Sequence, residues 1–415
     1  MKAQRLTGNF SSLMVAVSLV LFLTQVVLAA PKYKILHNFT GGADGNGNSG
    51  VVLDQPGNVY GSSRGGGNQN CPGGCGLVFE LTPHSDGKWA FAELHEFTAG
   101  DDGADPNDLT IDASGNLYGT TAGGGAHGVG TAYELAPGTN SWTLNTFFAF
   151  GTKLGGTQAG LARDSAGNFY GIQSGGGGYG GMAFELLSGS DGWTETVLHI
   201  FTGQNGGGDG YDPFAGLILD SAGNLYGTTE VGGDKCGSST CGTVYELTPE
   251  PGGKWKEAIL HRFTDNRRDG ITPGQGALFM DGSGNLYGTT ETGACCGGVV
   301  YELTPRGDGR WQEIIAYTFQ GGALGNQPYW GVVMDKSGNL YGTTDGGGGP
   351  GCGVIYKLAP AAKGKWKYSV LHTFGNAYDG CLPAGNLAID GKGNLYGGTI
   401  FGGTGGYGVI FELTP

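Results

Sequence analysis

Several features that would point directly to a function are missing from this sequence. Beyond the N-terminal segment, no stretch approaches the roughly 18 apolar residues that a transmembrane helix needs, which excludes a later span of that kind. Basic residues are few, since 22 Lys and Arg face 36 Asp and Glu and the formal net charge is −14. Such a surface repels phosphate backbones, so we expect no nucleic-acid partner. A helical period of apolar residues is absent too, which argues against a helical domain.

The N-terminus has the pattern of an export signal. Lys2 and Arg5 precede an apolar run over residues 13–28, and a small-residue cleavage site ends at Ala29. We therefore predict a signal peptide over residues 1–29, cleaved after Ala29, and a secreted protein in the extracellular or periplasmic space. The residue directly after the cleavage site is Ala30 and not Cys, which argues against a lipid anchor there.

Glycine and proline are abundant, at 89 and 16 residues. This composition alone is compatible with disorder. Two patterns indicate an ordered protein instead: the glycines recur at fixed places in a repeat, and apolar residues alternate between them with the period of a β-strand. The glycines are therefore expected to mark tight turns between strands.

The repeat is built on the motif Asp-x-x-Gly-Asn-Leu-Tyr-Gly, with Val59 or Phe169 in place of Leu in two copies. Its tyrosines recur every 52 to 61 residues, close to the spacing of propeller repeats. The seven copies of the motif occupy residues 54–61, 112–119, 164–171, 220–227, 281–288, 335–342 and 390–397.

Each copy contains four candidate strands, and this predicts an all-β fold over residues 30–415: a seven-bladed β-propeller with four-stranded blades. A parallel β-helix is the competing architecture, but its repeats are usually shorter. The last copy stops after its third strand, at 411–413, while residues 33–39 match the fourth strand of the other copies. We therefore expect the N-terminal strand to complete the last blade and close the ring, leaving no open sheet edge.

Four residue types recur at fixed positions of the repeat, and we interpret all four as structural. The motif aspartates are Asp54, Asp112, Asp164, Asp220, Asp281, Asp335 and Asp390. The histidines of Leu-His-x-Phe are His37, His95, His199, His261 and His372. The third-strand glutamates are Glu80, Glu134, Glu185, Glu246, Glu302 and Glu412. The fourth-strand tryptophans are Trp89, Trp142, Trp193, Trp255, Trp311 and Trp366.

The physical arguments differ among these types. An Asp before Gly-Asn accepts a hydrogen bond from a backbone N–H two residues on and so closes a turn. Phe148 and Tyr317 replace the histidine in two copies, which favours packing between blades over proton transfer. Lys357 replaces the glutamate in one copy, which argues against a shared acid. The tryptophans are expected to be packing anchors. No catalytic residue is predicted.

Function is therefore expected where the blades differ, on the face that carries the loop after the second strand and the inter-blade loops. The candidate ligand-binding residues are Glu230, Glu291, Asp345, Tyr329, Trp330, Tyr211 and Phe214. Acidic side chains beside aromatic rings suit a sugar or a cation. A solvated loop surface is the alternative interpretation.

The eight cysteines suit an oxidising compartment. We predict local disulfides between Cys71 and Cys75 and between Cys236 and Cys241, and a third between Cys352 and Cys381 in neighbouring blades. Cys295 and Cys296 are adjacent and fit either a vicinal disulfide or free thiols. The spacings match zinc motifs poorly.

Inter-blade Asp-Gly pairs raise the question of calcium. No Asp-x-Asp-x-Asp string is present, so we predict neither a metal nor another cofactor, with calcium as the alternative. Turn formation explains these aspartates more simply.

The repeat resembles the GloVer tandem repeat of exported bacterial proteins known as "choice-of-anchor". The resemblance rests on Asp-x-x-Gly-Asn-Leu-Tyr-Gly-Thr-Thr, Gly-Thr-Val-Tyr-Glu-Leu-Thr-Pro and Phe-x-Gly-x-x-Asp-Gly, and it covers residues 33–415. It implies a repeat fold and export but no site residues. Members of that family carry C-terminal sorting signals, whereas this sequence ends within the repeat at Pro415, and this favours release from the cell.

From the sequence we predict a secreted, monomeric binding or interaction module whose ligand is a glycan or a protein. The alternatives are a propeller-type carbohydrate-active hydrolase or lyase that uses carboxylates such as Glu230 and Glu291, and a purely structural extracellular protein. Fold analogy does not choose among them, since propellers host all three.

Overall fold

The computed structural model describes residues 30–151, 155–175, 180–203, 208–233, 241–264, 268–293, 297–375 and 378–415. The predicted signal peptide lies outside these ranges, as do Cys236, Cys295 and Cys296. Short 3₁₀ turns occur at Gly322–Leu324 and Ala362–Gly364. Within the described ranges, no helix has the length and apolarity that crossing a bilayer requires.

Twenty-nine strands form seven antiparallel sheets, the blades, and the fold is the predicted seven-bladed β-propeller. Blade 1 contains β2 (Asn46–Leu53), β3 (Val59–Gly65), β4 (Leu77–Pro83) and β5 (Trp89–Glu96). Blade 2 contains a divided first strand, β6 (Ala104–Pro106) and β7 (Thr110–Ile111), then β8 (Leu117–Gly123), β9 (Thr131–Pro137) and β10 (Trp142–Ala149). Blade 3 contains β11 (Ala162–Arg163), β12 (Phe169–Gln173), β13 (Met182–Gly189) and β14 (Gly192–Ile200).

The remaining blades follow the same meander. Blade 4 contains β15 (Ile218–Leu219), β16 (Leu225–Thr229), β17 (Thr243–Glu250) and β18 (Lys254–Arg262). Blade 5 contains β19 (Phe279–Met280), β20 (Leu286–Thr290), β21 (Val299–Pro305) and β22 (Trp311–Thr318). Blade 6 contains β23 (Val333–Met334), β24 (Leu340–Thr344), β25 (Val354–Ala361) and β26 (Lys365–Thr373). Blade 7 contains β27 (Cys381–Ile389), β28 (Leu395–Phe401), β29 (Val409–Thr414) and β1 (Lys32–Asn38).

Strand β1 closes the ring, as predicted. It runs antiparallel to β29, with Lys32 opposite Thr414, Ile35 opposite Phe411 and Asn38 opposite Val409. The last blade is thus shared between the two ends of the described chain, and β29 has a hydrogen-bonded neighbour on each side. This arrangement removes the open edge that a linear array of sheets would leave.

The hydrophobic core lies between the blades. Seven apolar clusters each draw on two neighbouring blades; one joins Tyr226 and Val244 of blade 4 to Leu286, Tyr301 and Leu303 of blade 5. Because both faces of an inner strand pack against other blades, β20 is buried at every residue, whereas the outer strand β22 is only half-buried. For this reason, polar and apolar residues do not alternate along the second strand of each copy.

The tryptophans pack between blades, as expected. Each of five lies edge-on to the motif tyrosine of the preceding blade, at 5.8–6.4 Å between ring centroids. The pairs are Tyr60–Trp142, Tyr170–Trp255, Tyr226–Trp311, Tyr287–Trp366 and Tyr396–Trp89.

Every fourth strand carries a β-bulge, a feature that the sequence pattern did not reveal. In β18, Ile259 lies opposite Tyr245 and His261 lies opposite Val244, so Leu260 is the extra residue. The other six fourth strands shift register at the equivalent place. A bulge reverses the side-chain alternation that follows it. His261 therefore points toward the next blade, whereas Ile259 points toward the preceding one.

Candidate functional site

The motif aspartates close the first hairpin turn of their blades. In blade 5, Asp281 accepts hydrogen bonds from the backbone N–H groups of Ser283 at 2.8 Å and Asn285 at 3.0 Å, and from the Asn285 side chain at 2.8 Å. In blade 4, the Tyr226 hydroxyl lies 3.1 Å from Asp220 and 2.9 Å from Glu246. The turn interpretation is confirmed, and the third-strand glutamates belong to the same network.

The repeat histidines pack between blades, again as expected, but they also form hydrogen bonds that sequence reasoning missed. His37 stacks on Phe91 of the next blade at 4.2 Å, and its Nε2 lies 3.1 Å from Asp44. That Asp belongs to the Asp-Gly pair of the inter-blade loop. Desolvation by burial lowers the pKa of His37, and the hydrogen bond and charge of Asp44 oppose this effect.

Four other interfaces repeat this pairing of a histidine with the Asp of an Asp-Gly pair. The Nε2–Oδ2 distances run from 3.1 to 3.4 Å in the pairs His95–Asp102, His199–Asp209, His261–Asp269 and His372–Asp379. These aspartates were predicted only to form turns, but each also contacts the histidine of the preceding fourth strand and so links that strand to the inter-blade loop. At two interfaces a glutamate of the next blade also lies near the pair: Glu257 beside His199 and Asp209, and Glu313 beside His261 and Asp269.

Residues of all seven blades line a cavity of about 450 Å³, here called the mouth pocket. Its lining includes Arg64 and Ile400, which follow second strands on the predicted variable face, together with Gln158, Phe214, Gln275, Trp330 and Asn386. The lining combines two aromatic rings, four amides, one carboxylate and one guanidinium. This set can pack against an apolar face of a ligand while offering hydrogen bonds to its polar groups.

Asp108 and Asn386 line both the mouth pocket and a second cavity. They occupy the position four residues before the motif Asp, where the other blades have glycine or alanine. Asp108 Oδ1 accepts from the Gly50 backbone N–H at 2.7 Å, and Asn386 Oδ1 accepts from that of Gly331 at 2.8 Å. The second cavity, of about 430 Å³, is lined mainly by apolar inner-strand residues.

The predicted aromatic residues divide into two groups. Phe214 and Trp330 line the mouth pocket. Trp330 Nε1 donates to the carbonyl of Pro383 at 2.8 Å, which fixes the indole between blades 6 and 7. Tyr329 packs edge-on against Trp330 at 5.3 Å, and Tyr211 lies over Gly180. Neither Tyr329 nor Tyr211 is among the residues lining the pocket.

The predicted acidic residues, Glu230, Glu291 and Asp345, come together beside the pocket around Tyr329; we call them the acidic arc. Burial raises the pKa of Tyr329, and the charges of all three carboxylates raise it further, while Arg64 opposes them. Burial, with a contribution from Glu291, raises the pKa of Asp345 to about 7. The arc is therefore a desolvated group of like charges, an environment in which carboxyl groups hold protons more tightly.

Desolvation also acts on the two glutamates of the arc. Burial, then the charges of Asp212 and Glu291, raises the pKa of Glu230. Burial raises the pKa of Glu291, whose carboxylate lies 3.5 Å from the side-chain amide of Gln327. Sequence reasoning grouped these residues by their position after Gly-Thr-Thr, and the fold brings them to one side of the mouth.

Sequence reasoning did not select Arg64, the cation of the pocket. Arg64 occupies the position that Glu230, Glu291 and Asp345 take in their blades. A basic residue at a position that is acidic in three other blades could have identified Arg64 as a candidate. Its guanidinium donates to Asn107 Oδ1 at 2.6 Å and is largely exposed at the mouth.

Two of the three predicted disulfides lie wholly within the described ranges, and both are formed: Cys71–Cys75 and Cys352–Cys381. The second joins the loop after β24 in blade 6 to the start of β27 in blade 7. Cys241 is disulfide-bonded as well, whereas its predicted partner Cys236 lies outside the described residues.

A comparison with protein-family models supports the repeat. A family model described as a Gloeobacter/Verrucomicrobia repeat matches residues 22–238 and 235–415. No curated protein matches the chain in sequence.

Solved structures that resemble this chain are distant. A Thermus thermophilus protein described as a putative oxidoreductase (glucose dehydrogenase) is 12% identical, with a TM-score of 0.43, over 93% of this chain and 100% of that one. A luciferin-regenerating enzyme is 11% identical, with a TM-score of 0.43, over 93% of this chain and 96% of that one. Similarity at this level concerns the fold alone.

Proposed function

The chain belongs to the Gloeobacter/Verrucomicrobia repeat family, and from that premise we propose that it is a secreted binding module that holds a glycan in the mouth pocket. In a repeat protein, residues shared by every blade serve the scaffold, and a ligand is selected by residues that differ between blades. The disulfides suit an extracellular setting.

The observation that carries the proposal is the lining of the mouth pocket. Its volume of about 450 Å³ lies within the range of roughly 300–1,000 Å³ common for small-ligand sites. Phe214 and Trp330 offer apolar faces for the C–H surface of a sugar ring, while Gln158, Gln275 and Asn386 offer amides for its hydroxyls. Arg64 adds a cation that suits a carboxylate or sulfate substituent.

The test is titration calorimetry of the purified protein with soluble oligosaccharides chosen from a glycan array. We expect Phe214→Ala and Arg64→Ala each to weaken binding by about tenfold or more, the loss of about 1.4 kcal/mol. Tyr378→Ala is the matched control, because Tyr378 is 77% exposed and is not among the pocket residues. The proposal fails if no glycan binds, or if both pocket variants bind as tightly as the control.

A carbohydrate-active enzyme is the second candidate, and the raised pKa of Glu230 favours it, because a general acid must hold its proton near neutral pH. Such an enzyme needs two carboxyl groups on either side of the scissile bond. Release of reducing ends from the bound glycan measures this activity. Binding without turnover supports the module, whereas turnover that is lost in Glu230→Gln and Glu291→Gln would establish the enzyme instead.

A further inference from the structure

The outer end of each inter-blade interface with a repeat histidine contains three side chains: that histidine, the Asp of the following loop, and one residue of the next blade's fourth strand. This third residue stands two positions after the fourth-strand Trp, or after Pro31 in blade 7. At three interfaces with a histidine the third residue is apolar or aromatic: Phe91 beside His37, Leu144 beside His95 and Tyr33 beside His372. At two it is a glutamate, Glu257 or Glu313.

We infer that these two interfaces are zinc sites, formed by His261, Asp269 and Glu313 between blades 4 and 5, and by His199, Asp209 and Glu257 between blades 3 and 4. The inference is independent of the glycan site, because both groups lie at the outer rim and none of their residues lines the mouth pocket.

The ligand atoms are spaced as a tetrahedral zinc ion requires. Metal–ligand bonds of about 2.1 Å place the ligand atoms of a tetrahedron about 3.4 Å apart. His261 Nε2 lies 3.4 Å from Asp269 Oδ2 and 3.5 Å from Glu313 Oε1. The three ligand atoms of each group all lie within 4.8 Å of one another.

The second group has the same spacing. His199 Nε2 lies 3.3 Å from Asp209 Oδ2, a hydrogen bond, and 3.6 Å from Glu257 Oε1. All five interfaces with a repeat histidine have the histidine–aspartate pair, so the glutamate is what distinguishes these two groups.

Buried atoms without a hydrogen bond support a cation at the same place. Glu313 Oε1 and Glu257 Oε1 are buried and accept no hydrogen bond in the described part of the chain, and the contact of the buried His261 Nε2 with Asp269 Oδ2, at 3.4 Å, does not have the geometry of a hydrogen bond. Burial of such an atom is costly unless it is paired. A divalent cation would satisfy all three ligand atoms of a group at once and would neutralise its two carboxylates.

The donor set favours zinc over calcium. One imidazole nitrogen and two carboxylate oxygens are ligands that zinc accepts, whereas calcium takes six to eight oxygens. Three protein ligands leave a fourth position for water, and a histidine 19% exposed at its side chain leaves a path for entry. Asp269, only 6% exposed, accepts a hydrogen bond from the Thr264 backbone N–H at 2.9 Å on Oδ2, the same oxygen that faces His261, and this contact holds the carboxylate in place.

The test is calorimetric titration of metal-free protein with zinc chloride, followed by elemental analysis. We expect two zinc ions per chain, with Glu313→Leu removing the one between blades 4 and 5 and Glu257→Leu the one between blades 3 and 4. Leucine is the residue that the interface with His95 already carries, so each variant copies a natural interface of this ring. His95→Phe is the control that should leave the stoichiometry unchanged, because its interface has no glutamate.

Replacement of zinc by cobalt supplies a second measurement that does not depend on stability. Tetrahedral nitrogen and oxygen ligation gives intense visible bands without a thiolate charge-transfer band, and the visible bands should vanish in the Glu257→Leu/Glu313→Leu variant. Zinc that remains bound to this double variant, a thiolate band, or binding of calcium in preference to zinc would overturn the inference. The absence of any stoichiometric metal binding would do the same.

Discussion

At the residue scale, the motif glycine after Leu-Tyr serves a purpose that the turn interpretation does not cover. Gly288 lies within β20, not in a turn, and a Cβ at this position would overlap the hydroxyl and ring of Tyr301 and approach Leu278. The same contact recurs between Gly61 and Phe79 of blade 1. The glycine is needed because a large aromatic ring of the third strand lies directly over the backbone.

Substitution of Gly288 by alanine is expected to lower the free energy of unfolding by about 1–3 kcal/mol, the usual cost of overpacking. Tyr301 is fully buried and cannot move aside without shifting the interface between blades 4 and 5. Urea denaturation followed by tryptophan fluorescence measures the effect. Gly282→Ala is the matched control, since a Cβ there meets no atom within 4 Å, and equal stability of the two variants would contradict this account.

In the candidate site, variation between the repeat copies predicted some pocket residues correctly and others not. Phe214 and Trp330 were selected because they vary between blades, and both line the pocket. Tyr211 was selected for the same reason, but its ring covers Gly180. Variation between copies identifies the face of a propeller, whereas the direction of one side chain depends on loop contacts that have no period.

At the scale of secondary-structure elements, β1 has the largest consequence for the ring. It supplies the fourth strand of blade 7 and its Tyr33 stacks on His372 of blade 6 at 3.9 Å. Its pairing with β29 buries Phe411, which has no exposed surface. An apolar strand edge would be exposed without it.

Deletion of residues 30–40 is expected to destabilise the whole ring and not only the last blade. Because each core cluster is shared by two neighbouring blades, loss of β1 weakens the interfaces of blade 7 with both blade 6 and blade 1. We expect the melting temperature to fall by on the order of 10 °C or more. A truncated protein that melts at the same temperature as the intact one would refute the closure argument, and a synthetic peptide of residues 30–40 should partly restore stability.

At the scale of the whole molecule, two connections secure the junction where the chain begins and ends. One is β1, and the other is the disulfide between Cys352 and Cys381, which joins blades 6 and 7. The Cys71–Cys75 disulfide lies within one loop of blade 1 and spans only 4 residues, whereas Cys352–Cys381 spans 29. A longer loop restricts the unfolded chain more.

Replacing Cys352 and Cys381 together by serine should therefore lower the free energy of unfolding by about 3–4 kcal/mol, against about 2 kcal/mol for Cys71 and Cys75. Denaturation of the two double variants under non-reducing conditions makes the comparison. A larger loss at the local disulfide would show that the junction does not limit the stability of the ring.

The seven blades, the closing strand and the structural role of the repeated Asp, Glu, His and Trp residues could be predicted before the structure was known, because local periodicity and a count of the copies are enough. The contacts between side chains became visible with the folded chain. Arg64 of blade 1 acts on Tyr329 across the mouth, and the bulge at Leu260 turns His261 toward Glu313 of the next blade. Strict alternation would place His261 on the same face as Glu257. The bulge arises from pairing between strands in a curved ring, and contacts of that kind have no period along the chain.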